Sequence, residues 1–267
     1  AYLERLGRLK TVLVADLIFG LPGQTEEIWQ NDLRTAAALP LAGLDTYAFN
    51  CYPFLPINRM IEKGAFPPPA GFDTQSLQYA YTVEYLAQQG WRQISNNHFA
   101  YPGRGERNLY NSLVKSNIPC LAFGSGAGGN GGGYSYQVQS DLDSYLATPA
   151  GQKNIAYMSR HSGNKYLLGR LQHNIETGTI DSRLFDGQWA ELGLTGKPDS
   201  DGLIHLNTSG RYWSPTLTRK LMLALPANEE KEQSMPNPLS AEQQTVLRNS
   251  LAENPGQILE MLAGRFQ

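Results

Sequence analysis

Short β-branched apolar runs and longer segments of helical period take turns through the first half of this chain. Thr11-Val12-Leu13-Val14-Ala15 is an apolar run that reads as a buried strand ending on Asp16. The chain then passes through Leu17-Ile18-Phe19 and turns at Gly20-Leu21-Pro22-Gly23. A helix is predicted over 25–39, with Thr25 at its start and Glu26 and Glu27 in its first turn. Ile28, Trp29, Leu33, Ala36 and Ala37 fall on its apolar face, and Pro40 stops it. A second strand is predicted over 43–52, before Pro53, and strand, helix and strand at this spacing make a βα unit of a parallel sheet. Residues 66–71 form a proline-rich loop, and a second amphipathic helix over 74–89 closes at Gly90.

The pattern then loosens. A strand-like segment at 91–96 leads into a polar loop over 97–108 and a further segment at 109–114. A short strand over 120–124 runs into residues 124–133, of which seven of ten are glycine. Residues 164–225 read as two or three helices, a hairpin arm at 201–207 and a helix from Pro215, a winged-helix-like pattern. A polar linker follows at 226–238. The tail reads as two short helices, one begun by the capping box Ser240-Ala241-Glu242-Gln243 and one by Asn254-Pro255. The expected organisation is therefore 1–150, 151–226 and 227–267.

Composition narrows the chemistry. A net charge of -2 and a pI near 6.1 over 267 residues give no general nucleic-acid surface, so the winged-helix-like segment reads as a substrate lid or docking module. No apolar run reaches membrane-spanning length. Two widely separated cysteines, Cys51 and Cys120, fit a reducing cytoplasm without a disulfide framework. The chain begins at Ala1 in what reads as a helix end, and the expectation is that its natural amino terminus has been cut away.

In open α/β sheets and barrels, ligands sit at the carboxyl ends of parallel strands, where Asp16 is placed to accept hydrogen bonds from a ribose. Asn50, after the second strand, either reaches the same ligand or bonds to its own turn. The glycine run is either a flexible linker or a close-approach surface for a flat or anionic ligand at Gly124 and Gly126, with Tyr134 and Tyr136 as stacking faces. Arg104, Arg107 and His98 share the polar loop, with Arg92 before it. These cations suit carboxylate-bearing substrates, unless the loop is simply solvated. Cys51 reads as a small core residue.

The string Asp16-Leu17-Ile18-Phe19-Gly20-Leu21-Pro22-Gly23-Gln24-Thr25 resembles the D-L-I-x-G-L-P-x-Q-T motif of the coproporphyrinogen-oxidase-like radical SAM family. Gln93-Ile94-Ser95-Asn96, Arg107-Asn108-Leu109-Tyr110-Asn111 and Gly124-Ser125-Gly126-Ala127-Gly128-Gly129 follow in the order of that family's E-I-S-N, H-N-L-x-Y-W and G-x-G-x-G-A-H-S segments. Arg107 stands where the chaperone branch has His.

The resemblance implies an α/β fold: the C-terminal part of a partial (β/α) radical SAM barrel, then a small winged-helix-like α+β module. It implies that Asp16 binds the S-adenosylmethionine (SAM) ribose, that Ile18 packs on the adenine, and that Asn50, Gly124 and Gly126 lie by the cofactor. Substrate propionates are expected at Arg104 or Arg107. Heme iron is expected at His98 before His161, His173 or His205. A 4Fe-4S cluster needs three clustered thiolates, so its ligands are expected upstream and no metal site in this stretch.

Leu44-Asp45-Thr46-Tyr47-Ala48-Phe49-Asn50-Cys51-Tyr52-Pro53 looks most like the heme-utilisation radical SAM methyltransferases. That likeness implies a cytoplasmic enzyme that anaerobically opens the heme macrocycle, with methyl transfer, iron release and an electron donor such as flavodoxin. An oxygen-independent coproporphyrinogen III oxidase and a non-catalytic heme-binding chaperone are the alternatives. This stretch alone is expected to be inactive.

Overall fold

A computed structural model describes residues 5–7, 11–52, 55–115, 118–161, 165–182, 199–224 and 234–235. Its contacts divide the chain into two compact units, one of 1–110 with 171–224 and one of 111–170 with 225–267. This differs from a division at 150 and 226, because the helical segment after 171 belongs with the amino-terminal strands.

In the first unit, β1 (Val14–Phe19) and β2 (Gly43–Ala48) pair in parallel, with Asp16 opposite Asp45 and Ile18 opposite Tyr47. Between them runs α1 (Glu26–Ala37), whose amino end is capped by the Thr25 hydroxyl accepting from Ile28 N at 3.2 Å. Trp29, Leu33 and Ala36 are buried as the period requires, but Ile28 faces solvent. The short helix α2 (Pro56–Glu62) precedes α3 (Phe72–Gln88). Trp29 Nε1 donates to Thr82 Oγ1 at 3.0 Å, locking α1 against α3.

The sheet continues through β3 (Arg92–Gln93) and β4 (His98–Ala100) in the order β1-β2-β4-β3, with β4 antiparallel to both its neighbours. The polar segment 97–108 therefore contains a fully buried strand, where the sequence reads as loop. Alternation along β1 sets Leu17 and Phe19 against the helices and leaves Val14, Asp16 and Ile18 on an open face.

After α4 (Leu109–Lys115), the second unit carries an antiparallel sheet. It contains β5 (Gly128–Gly131), β6 (Tyr134–Val138) and β7 (Ile155–Arg160), with α5 (Leu142–Leu146) between β6 and β7. The glycine run is thus a strand plus the two-residue turn Gly132-Gly133, both with positive φ, the geometry that matches strand twist in a hairpin. Residues 121–123 form no strand, and Cys120 makes an isolated bridge to Asn130.

The helix α6 (Lys165–Thr177) leads back to the first unit, where β8 (Thr179–Asp181) pairs with β9 (Leu203–His205) ahead of α7 (Thr208–Tyr212) and α8 (Ser214–Ala224). Asn96 ties this segment to the sheet: its N–H donates to Glu176 O at 2.7 Å and its side chain to Ser214 Oγ at 2.7 Å. The strand β10 (Ser234–Met235) pairs with β7, while the remainder of the expected linker and both tail helices lie outside the described residues.

Candidate functional site

The turn after β1 is built by its own side chains. Gln24 Oε1 accepts from Gly20 N at 2.8 Å, and Gln24 Nε2 donates to Ile18 O at 3.2 Å, so one amide closes the loop from both sides. Gly20 has φ +79, and a Cβ there would lie 2.6 Å from the Gln75 amide. Gln75 in turn donates to Phe49 O at 2.9 Å, joining the carboxyl ends of β1 and β2. The spacing of Gly20, Gln24 and Thr25 in this string therefore has a local structural cause.

Asp16 is not the last residue of its strand. β1 runs three residues further, and Asp16 sits mid-strand on the open face, with its side chain exposed. The reason is alternation: the run is half-exposed, so Ile18 extends the outward row that a fully buried strand would lack. Asn50 lies two residues past β2, is exposed, and donates to Ala48 O at 3.3 Å, the own-turn bond of the two readings.

Across the face, the paired positions Asp16, Asp45 and His98 form a row over β1, β2 and β4. His98 is 3% exposed, with Nδ1 3.0 Å from Asp45 Oδ1 and Nε2 3.3 Å from Glu106 Oε1. Burial alone would pull the imidazole down, but the Asp45 and then the Glu106 carboxylates outweigh it and hold it above its usual value. His98 is thus a buried ion-paired strand residue, with a carboxylate facing each ring nitrogen, rather than a loop ligand for heme iron.

Glu106 belongs to the segment 101–108, which crosses the amino ends of β1 and β2. Arg104 Nη1 donates to Leu41 O at 2.7 Å and Leu39 O at 3.3 Å, and its guanidinium lies 3.9 Å over the Tyr101 ring. Gly105 sits beside Val12, and a Cβ on Gly43 would meet the Glu106 stem. Arg104 is therefore held by backbone carbonyls, and exposed Arg107 lies on the same segment. Arg104 thus lies by the amino ends of β1 and β2, whereas Asn50 follows the carboxyl end of β2.

The neighbour that sequence reasoning missed is Tyr47. It pairs with Ile18, is 40% exposed, and its phenol is pushed up to about 12 by burial, then by Asp45 and Asp16, with a bond to Asn97 working the other way. The signal was present in Asp45-x-Tyr47, two positions of one strand face. An acceptor-only carboxylate beside an aliphatic and an aromatic side chain suits a sugar diol joined to a flat base.

In the second unit Gly124 has φ +101 with open space on its Cβ side, and Gly126 N donates to Gln139 O at 3.0 Å. Tyr136 is core: 3% exposed, with Ala122 N donating to its hydroxyl at 3.0 Å. It offers no stacking face, and Tyr134 is half-buried. The other histidines are dispersed. His161 Nε2 lies 3.0 Å from Ser135 Oγ, and burial and then Lys165 lower its pKa. His205 is exposed, 2.8 Å from Asp199, and half-buried His173 lies on α6.

Comparison with known proteins shows what this chain is similar to. In fold the chain matches coproporphyrinogen III oxidase of Escherichia coli, a radical SAM enzyme, with a TM-score of 0.60 at 20% identity, over 79% of this chain and 55% of that one. In sequence it is 32% identical to anaerobilin synthase of Escherichia coli O157:H7 over 237 residues, 83% of this chain and 52% of that protein. It is 26% identical to an oxygen-independent coproporphyrinogen III oxidase of Thermostichus vulcanus, over 72% of this chain and 65% of the relative. No family model matches.

In sequence this chain is thus similar to anaerobilin synthase and to oxygen-independent coproporphyrinogen III oxidases, and in fold to a coproporphyrinogen III oxidase. Among them stands anaerobilin synthase, of which the chain spans about half the length.

Proposed function

We propose that this chain belongs to a radical SAM enzyme of heme utilisation, which opens the heme macrocycle anaerobically with methyl transfer and iron release. The 32% identity to anaerobilin synthase carries the reading. The first unit would be part of the wall of a partial (β/α) barrel. The elements from α6 to α8 would be a winged-helix-like lid. The whole would work in the cytoplasm with an electron donor such as flavodoxin; among the described residues no helix is long and apolar enough to cross a membrane.

The residues present fit the nucleoside of SAM. Asp16 offers a carboxylate to the ribose hydroxyls, and Ile18 and Tyr47 offer apolar surface to the adenine. They do not fit the cluster. Cys51 and Cys120 lie in different units, and two thiols are not three thiolates. When bound and reductively cleaved, SAM supplies the carbon radical. This stretch would hold and orient it, keeping water from its base.

The test is an anaerobic assay of the whole enzyme, with cluster thiolates in place. Asp16→Ala should raise the KM for SAM about tenfold, the size of one charge-assisted bond, and leave heme affinity within twofold. An unchanged KM would remove the ribose role. A product with the macrocycle intact but propionates decarboxylated would favour the coproporphyrinogen oxidase reading, which the fold match supports.

A further inference from the structure

The second unit contains a groove of about 480 Å³ that the proposed chemistry does not use. Its walls include Phe123, Val138, Tyr145, Leu146 and Pro149, and Lys153 is the one charged residue among the described residues that line it. Val138 is core, but Phe123 is 80% exposed and Leu146 is 68% exposed. Two large apolar side chains that line one concavity and stand in water are costly unless something covers them.

The cation is held in place rather than waving in solvent. Lys153 Nζ donates to Ala122 O and sits 4.7 Å from the centroid of the Phe123 ring. An ammonium has three donors, so one carbonyl leaves capacity for an anion. Gly124, at the same rim, would put a Cβ into open space. The volume lies in the range of small-molecule sites, and apolar walls with one placed charge are their usual chemistry.

We propose that this groove binds a small amphipathic carboxylate, its apolar body between Phe123 and Leu146 and its carboxylate on Lys153. A tetrapyrrole propionate edge and a fatty acid both carry that chemistry. The site stands whether or not the heme reading does, because it rests on residues 122–154 alone.

Calorimetric titration of the 267-residue chain with dodecanoate, dodecanol and metal-free protoporphyrin IX tests it. Dodecanoate, protoporphyrin or both should bind saturably, with dodecanol weaker. Lys153→Gln should weaken the carboxylate about tenfold, and Lys153→Arg should restore it to within about threefold. Leu146→Glu, at an exposed position that leaves the core intact, should weaken binding at least as much by opposing the anion. Binding of one acid alone would name the source. No saturable binding by either acid, or equal affinity in the wild type, Lys153→Gln and Leu146→Glu, would overturn the proposal.

Discussion

His98 is where one side chain decides most. It stands between Asp45 and Glu106 with little water, so removing it leaves two carboxylates facing each other across a buried gap. His98→Ala should cost about 3 kcal/mol or more, as breaking buried ion pairs does. Its pH signature has a definite sign. The folded-state pKa is raised, so the stabilisation is complete below the unfolded value of about 6.5 and is lost as pH rises through the folded value. Urea unfolding midpoints should therefore fall from pH 6 to pH 9 in the wild type. A His98→Gln variant should lack that part of the slope; equal slopes would show that His98 is not the titrating group.

Among elements, the fold was most legible where local chemistry and packing agree. The helix α1 was readable because Thr25 caps it, acids open it and Trp29, Leu33 and Ala36 keep its period. The strand β4 was not, since three residues between Asn97 and Tyr101 carry too little period, and its identity comes from pairing with β2 and β3 on both sides. The glycine-rich β5 failed for a related reason. Its partner supplies the contacts that glycine cannot, and a Cβ on Gly129 would lie 2.5 Å from Tyr136 Cζ and 2.7 Å from Cys120 O. Gly129→Val should thus destabilise the second unit by about 1–3 kcal/mol, the usual overpacking cost. Chemical denaturation would check this, and a neutral effect would mean that Tyr136 swings aside freely.

At the scale of the molecule, Asp16 and Ile18 were legible as a motif, but the face they share with Tyr47 was not, because register between strands is a tertiary fact. Nor could spacing reveal that segment 101–108 closes the amino ends of the strands: Arg104 finds its carbonyls more than 60 residues away in sequence. The two cysteines allow a plainer expectation. Anaerobic reconstitution of this chain alone, followed by iron and sulfide analysis, should give no stoichiometric cluster. One cluster per chain would contradict it.

The bonds from Asn96 to Glu176 and Ser214 have a consequence for the ribosome. The first unit is interrupted: its strands are complete by residue 110, but the helices that cover them end at 224. During synthesis at about 5–20 residues per second, the strand layer must wait roughly 6–23 seconds for the rest of its own unit to emerge. Residues 111–170 of the second unit are made in that interval, and the hairpins joining β5, β6 and β7 need only nearby partners. These hairpins are thus positioned to form before the first unit is complete, although β10, the far strand of their own sheet, is made later still. Until residue 176 leaves the tunnel Asn96 has neither of these distant partners, and until residue 214 follows it has only one, so the young sheet is open to any passing apolar chain.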